Sequence, residues 1–397
     1  MENPTMPLHD VGYRPWQGVR TGPASTVAVI ATTGIRLAWT SRWLRRAVFF
    51  AWSPALLFAG SFFAFEQAAD EGRLGALRNT ARSGGDLDGV GILGSILAET
   101  LGKPGQGSVE QAGGTGPGHG GANAVDQTRR TVWSRLLLAF MRVPQAVLLA
   151  VVIGLVAPSL ISRDLRAKAW LIYFTRPVGK LEYILGKMLI LGLLVATITM
   201  LPALALWLMG VGVSPSIWVA VTTWDLPVRI IVASLALAVP MVLMSLAYSS
   251  VTAESRIASF AWFATWAACW IAHTTLSTAD LMRADDSSGV AVAAGVDFSD
   301  FDSRMDEFLE QGPRRGGRPP GRNLRQFRWL SKAAGLDTTI DRWAWLSPYH
   351  SLGVIQSWIF GIETRWQAVF PPLLSLTLVS VVSAVVLWWR VDAPARA

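Results

Sequence analysis

Long stretches without a single charge alternate with shorter polar stretches along this chain. The apolar runs are Ala47 to Phe65, Val143 to Ile161, Met188 to Val213, Ile230 to Val251, Ile257 to Leu276 and Ala368 to Trp389. A run of about 20 residues coiled at about 1.5 Å per residue covers the roughly 30 Å of a bilayer core, so each run is read as a membrane-spanning helix. The predicted fold is therefore all-α and polytopic, with spans at 47–65, 143–161, 188–213, 230–251, 257–276 and 368–389. Pro54, Pro158, Pro202 and Pro240 fall inside these spans. In lipid, neighbouring helices and hydroxyl side chains can satisfy the backbone groups a proline frees, so kinks are expected there and not helix ends.

Composition agrees with this pattern. Of 397 residues, 52% are hydrophobic and 16% charged, against about 25% charged in an ordinary soluble domain. The one cysteine, Cys269, lies within the fifth run, so no intramolecular disulfide and no thiolate-held metal cluster can form. No metal site or cofactor is predicted.

Lys and Arg concentrate on one side of the membrane, which sets the orientation. With six spans, the first 46 residues share a side with 162–187, 252–256 and 390–397, and that side holds the denser basic charge, including Arg36, Arg42, Arg45, Arg46, Arg163, Arg166, Lys168 and Arg176. Both termini are thus placed in the cytoplasm. Residues 1–46 form a cytoplasmic N-terminal segment in which Val27, Ile30, Ala31, Ile35, Ala38 and Trp39 recur at helical spacing beside the arginines. An amphipathic interfacial helix in contact with anionic membrane lipids is expected there.

Two long segments lie on the opposite side. Residues 66–142 contain the glycine-rich tract Lys103 to Asn123, too poor in apolar residues to offset its ordering entropy and read as a disordered tether. Residues 277–367 carry Phe298, Phe301, Met305, Phe308 and Leu309 on one helical face, then a second amphipathic stretch, Asn323 to Ala334. The arginine-glycine run Gly312 to Arg322 between them has no interleaved aromatic residue and is read as a solvated or headgroup-contacting loop, so no nucleic-acid partner is predicted. Trp345 to Gly361 is half apolar and too short to span, which suits a re-entrant or interfacial helix pair.

The most informative stretch is the loop 162–187. It is strongly basic, carries the apolar Trp170 to Phe174, and is interrupted by Pro177-Val178-Gly179, so two short surface helices are expected around a break. Its residues Asp164, Arg166, Arg176, Pro177, Val178, Tyr183, Leu185, Gly186 and Lys187 resemble the signature of ABC-2 type transporter permeases, the membrane subunits of one class of ATP-binding-cassette transporters. The six spans, the short turn Thr252 to Arg256, the long outer segment between spans five and six and the element Leu346-Ser347-Pro348 are similar to that family too. The resemblance implies an ABC-2 permease-like fold and a coupling loop that fits a groove of a separate ABC ATPase subunit. It further implies a second permease copy or a homologous permease as partner, and a place in the bacterial inner membrane. By the same resemblance the ATPase contacts are Arg163, Asp164, Arg166, Lys168, Trp170, Tyr173, Phe174, Arg176 and Pro177, while Lys187 either joins them or snorkels at the base of span three. The substrate-binding residues stay unknown.

Several activities are excluded by what the chain lacks. No phosphate loop is present, because Gly102-Lys103 and Gly186-Lys187 are followed by Pro and Met, so ATP is not hydrolysed by this chain itself. No H-E-x-x-H or G-x-S-x-G motif occurs, and His9, His119, His273 and His350 are scattered, which disfavours an enzyme and leaves the catalytic set empty. No Asp, Glu or Lys sits mid-span, which disfavours an ion-coupled carrier. ATP-driven transport, in the export direction, is the expected function. Two alternatives remain at this level: an ATPase-free scaffold binding an envelope partner through 277–367, and a permease-like regulator that transmits ATP hydrolysis without moving a substrate.

Overall fold

The computed structural model describes residues 22–70, 120–142, 146–169, 179–293 and 342–392, and every regular element among them is helical. Helix α1 spans Pro23–Trp39, opening on a proline in the first turn, where the missing N–H is no loss. After a break at Thr40-Ser41, α2 runs Arg42–Asp70. Then come α3, Gly120–Phe140, α4, Ala146–Val156, and α5, Pro158–Arg166. Helix α6, Lys180–Val195, passes through a π-helical turn at Ala196–Met200 into α7, Leu201–Val213. A single turn, α8, Trp218–Thr222, precedes α9, Asp225–Val251, and α10, Ser255–Ala293. The last pair is α11, Pro348–Ile359, and α12, Trp366–Asp392.

Five stretches are long and apolar enough to cross a bilayer: Arg42–Asp70, Ala146–Arg166, Lys180–Val213, Asp225–Val251 and Trp366–Val391. The run Ile257 to Leu276 lies within α10 but outside those five, since its tryptophans, threonines and His273 lower its hydropathy. Pro54 and Pro240 sit inside continuous helices, whereas Pro158 opens α5 and Pro202 follows the π-helical turn. Helix α9 is the hub, packed against α5, α6, α10, α11 and α12, while α1 lies along α6 and α2 along α7.

The buried side chains form two clusters. One joins Leu44, Val48, Leu149, Ile153, Ile161, Leu191, Leu246 and Leu387, at the end of the bundle that holds α5 and the start of α6. The other joins Phe58, Phe62, Phe65, Trp133, Leu136, Phe140, Leu206 and Ile230, towards the opposite end. Helix α3 supplies much of the second cluster, although its residues read from sequence as part of a loop. Its arginines hid the pattern Val132, Trp133, Leu136, Leu137 and Phe140. Within the fold two of them are answered by acids: Arg129 by Glu66 at 3.0 Å and Asp126 at 2.8 Å, Arg130 by Asp225 at 2.7 Å. Glu66 also accepts from Trp133 Nε1 at 3.1 Å and Ser214 Oγ at 2.9 Å, so a carboxylate shut away from water is fully satisfied.

Of Trp262, Trp266 and Trp270 on α10, Trp262 is buried, Trp266 is partly buried and Trp270 is 45% exposed. Trp262 donates to the Ala150 carbonyl at 2.9 Å and lies against Gly154, where an added Cβ would come within 2.6 Å of its ring. Trp270 meets Tyr349 and His350 with ring centroids 5.2 and 5.4 Å apart. Residues 103–119 of the glycine tract, the predicted helices at 298–309 and 323–334 and the arginine-glycine run lie outside the described residues; α3 begins at Gly120, within the end of that tract.

Candidate functional site

The described motif residues of the 162–187 loop, among them Asp164, Arg166, Tyr183, Gly186 and Lys187, lie at one end of the bundle. Helix α5 starts at Pro158, and the Ser249 hydroxyl of α9 serves the backbone there: it accepts from the N–H groups of Ile161 and Ser162, each at 3.1 Å, and donates to the Pro158 carbonyl at 2.9 Å. Ser162 Oγ returns a bond to the Ser249 carbonyl at 2.9 Å. Both serines are fully buried, so α5 is pinned to α9 by polar bonds that no water competes for. One turn further on, Arg166 donates to the Ala253 carbonyl and pairs with Glu254, both at 3.3 Å, in an exposed contact of little energetic weight.

Helix α5 stops at Lys168, whose φ of +50° is left-handed. Its N–H bonds to the Leu165 carbonyl at 3.2 Å and that of Ala169 to the Asp164 carbonyl at 3.0 Å, the paired bonds of a Schellman stop. Helix α11 ends the same way, but with Gly361 at φ +75° in the left-handed position. A Cβ there clashes with the backbone, so the lysine holds strain that the glycine avoids.

On the far side of the loop, α6 opens at Gly179, whose N–H bonds to Glu182 Oε2 at 3.1 Å. One turn along, Tyr183 and Lys187 face α5. Tyr183 Oη donates to Asp164 Oδ2 at 2.7 Å, and Lys187 Nζ pairs with the same oxygen at 2.8 Å while donating to the Leu160 carbonyl at 2.8 Å. The Lys187 ammonium also lies 5.4 Å from the Tyr183 ring centroid. Asp164 and Lys187 are 17% and 13% exposed, so the pair is mostly shielded from screening. Gly186 is the contact point for α1, since an added Cβ would lie 2.6 Å from Ile30 Cγ2. Beside it, a cavity of about 1030 Å³ between α1, α4 and α5 has mainly apolar walls and Arg163, Asp164, Tyr183 and Lys187 at its polar end.

Of the residues predicted to contact a partner, Asp164 is thus turned inward to Tyr183 and Lys187, and Lys187 is bonded there as well and does not snorkel. Arg163, Arg166 and Lys168 are exposed around the end of α5. Trp170, Tyr173, Phe174, Arg176 and Pro177 lie outside the described residues. Ser249 and Glu254 carry no motif, and only their hydroxyl and carboxylate chemistry at the base of α9 could have marked them. His273 and His350, far apart in the chain, stack at 3.5 Å. Among the described residues no cluster of His, Cys, Asp and Glu is fit to hold a metal.

Comparison with known proteins places this geometry in context. The family model described as ABC-2 family transporter protein matches residues 26–389. No curated protein matches the chain.

Proposed function

The chain belongs to the ABC-2 transporter family, and from that premise we propose that it is the permease of an ATP-driven exporter, moved by an ABC ATPase that binds the loop between α5 and α6. The family's members are membrane transport subunits, multi-pass and without catalytic activity of their own, that associate with an ABC ATPase subunit. Two permeases, identical or homologous, enclose the pathway in the bacterial inner membrane, with both termini and the loop on the cytoplasmic side.

One observation supports the loop's role above the others: Asp164, Tyr183 and Lys187 clamp its two ends together across about 20 residues of chain. A loop that transmits a push needs stiff posts, because a soft mount absorbs displacement. Pinned by Ser249 to α9 and by Lys187 to α6, α5 delivers motion directly to two helices of the bundle. Arg163, Arg166 and Lys168, together with Trp170, Tyr173, Phe174, Arg176 and Pro177, are the proposed contact surface. Asp164 acts through them by holding their frame.

The test is co-purification in mild detergent with candidate ABC ATPase subunits from the same genome, comparing wild type with an Arg163→Glu, Arg176→Glu double variant and assaying stimulated ATP hydrolysis. Association that the variant abolishes is the expected result. Absence of an ATPase partner, or binding indifferent to the loop, overturns the reading.

A further inference from the structure

Three shielded cations each have an acceptor: Arg129 has Glu66, Lys187 has Asp164, and Arg229 has Asp225 at 2.8 Å and the Ile359 carbonyl at 3.1 Å. Arg142 differs. It is 6% exposed, its Nε is buried without an acceptor, and no carboxylate among the described residues pairs with it. It lies inside the bundle: Phe140, two residues before it, packs edge-on against Phe58 in the middle of α2 at 5.4 Å. An ion withdrawn from water without a counter-charge is strongly destabilising, and in a membrane protein such a group marks a functional site by default.

What surrounds Arg142 gives the site its shape. Its guanidinium lies flat on Gly353, where even a methyl group would overlap it, and its Cζ is 5.9 Å from the Tyr349 ring centroid. Tyr349, Gly353 and Gln356 stand at i, i+4 and i+7, one face of α11. Gln356 is 1% exposed, and its Nε2 is a second buried donor without an acceptor. Exchanging the oxygen and nitrogen of that amide would supply a neutral acceptor but would leave the positive charge unanswered. A cation and an amide donor along one helix face, with no acid among the described residues paired to them, are complementary to a planar or tetrahedral oxyanion.

We propose that Arg142 and Gln356 form a binding site for an oxyanion, a phosphate or carboxylate group, against the glycine face of α11. The source is a free anion or the headgroup of an amphipathic lipid. The proposal deepens the permease reading by giving the class of ligand the membrane-embedded part handles, and its test uses the full chain without any ATPase. A missing ATPase partner therefore leaves this site standing, and an empty site leaves the ATPase loop standing.

Purified chain in neutral detergent is unfolded thermally, followed by tryptophan fluorescence, during titration with inorganic phosphate against chloride at constant ionic strength. A parallel series uses nanodiscs of phosphatidylcholine with rising phosphatidylglycerol. A saturable rise in the midpoint with phosphate assigns a free anion; a rise confined to phosphatidylglycerol assigns a headgroup. Arg142→Met should weaken the response at least about tenfold, the scale of one lost charge-assisted pair, while matching or exceeding wild-type stability without ligand, because an unpaired buried charge is gone. Gln356→Leu should weaken it by a smaller factor with the charge intact, and it serves alone if Arg142→Met does not fold. A wild-type chain indifferent to both probes, or variants that respond as wild type does, overturns the site.

Discussion

Replacing Asp164 by Asn tests whether this carboxylate frames the loop or touches a partner. The substitution keeps the shape and an acceptor for Tyr183 but removes the charge that faces Lys187 at 2.8 Å. Breaking a fully buried ion pair costs about 3–5 kcal/mol. Here the two groups are 17% and 13% exposed, and Lys187 keeps its bond to the Leu160 carbonyl at 2.8 Å. Discounting for that residual hydration gives about 2 kcal/mol for Asp164→Asn, about 1 kcal/mol for Tyr183→Phe, and a coupling of about 1.5 kcal/mol between Asp164→Asn and Lys187→Met. Equilibrium unfolding in mixed SDS micelles, read by tryptophan fluorescence, measures all three. Single effects that add without coupling, or an Asp164→Asn chain as stable as wild type that has lost its ATPase, would refute the framing role and return Asp164 to the contact surface.

Three further outcomes follow from the geometry. Lys168→Gly should stabilise the chain by about 1 kcal/mol by relieving the left-handed residue at the end of α5, seen as a higher unfolding midpoint; a lower one would show that the lysine side chain itself stabilises the stop. Gly186→Ala should loosen α1 from α6, because its Cβ would meet Ile30 at 2.6 Å, whereas Gly192→Ala on the same helix has nothing within 4 Å and should be neutral or mildly stabilising; limited proteolysis at the break between α1 and α2 tells them apart. At Glu363, burial raises the carboxyl, but the hydrogen bonds and charge of Arg365 and the Thr364 backbone outweigh it, so it titrates below the ordinary value of 4.5. Its contribution is therefore present above that pH and is lost as pH falls through the lowered value. Glu363→Gln should flatten the acid side of a midpoint-against-pH curve, and an unchanged acid limb would contradict this.

The helices were legible where length and hydropathy act together, as in α2, α9 and α12, since a bilayer demands one long apolar run per crossing. Helix α3 was not. Arg129, Arg130 and Arg135 made 120–142 read as a polar loop, because the acids that answer two of them lie on other helices, Glu66 on α2 and Asp225 on α9. Long-range pairing of this kind leaves no local signal. The loop motif was readable as a set of residue types, but its internal wiring was not: Asp164 and Lys187 are 23 positions apart, and only the fold of α5 against α6 makes them partners. Arg142, one position before the run Val143 to Ile161, looks in sequence like any flanking arginine, because its burial is created by α11, about two hundred residues later.

The division of the interior into two apolar clusters bears on how such a protein can move. A single continuous core would tie both mouths of a passage together, so that loosening one weakens the other. Here the aromatic cluster of Phe62, Trp133 and Phe140 is held by Glu66 and Arg129, while the aliphatic cluster around Ile161 and Leu246 is held by Ser249 and Asp164. Each has its own polar clasp, and the hub helix α9 belongs to both. On the proposed permease reading, such an arrangement would let one cluster loosen while the other stays packed, like lock gates on a shared post.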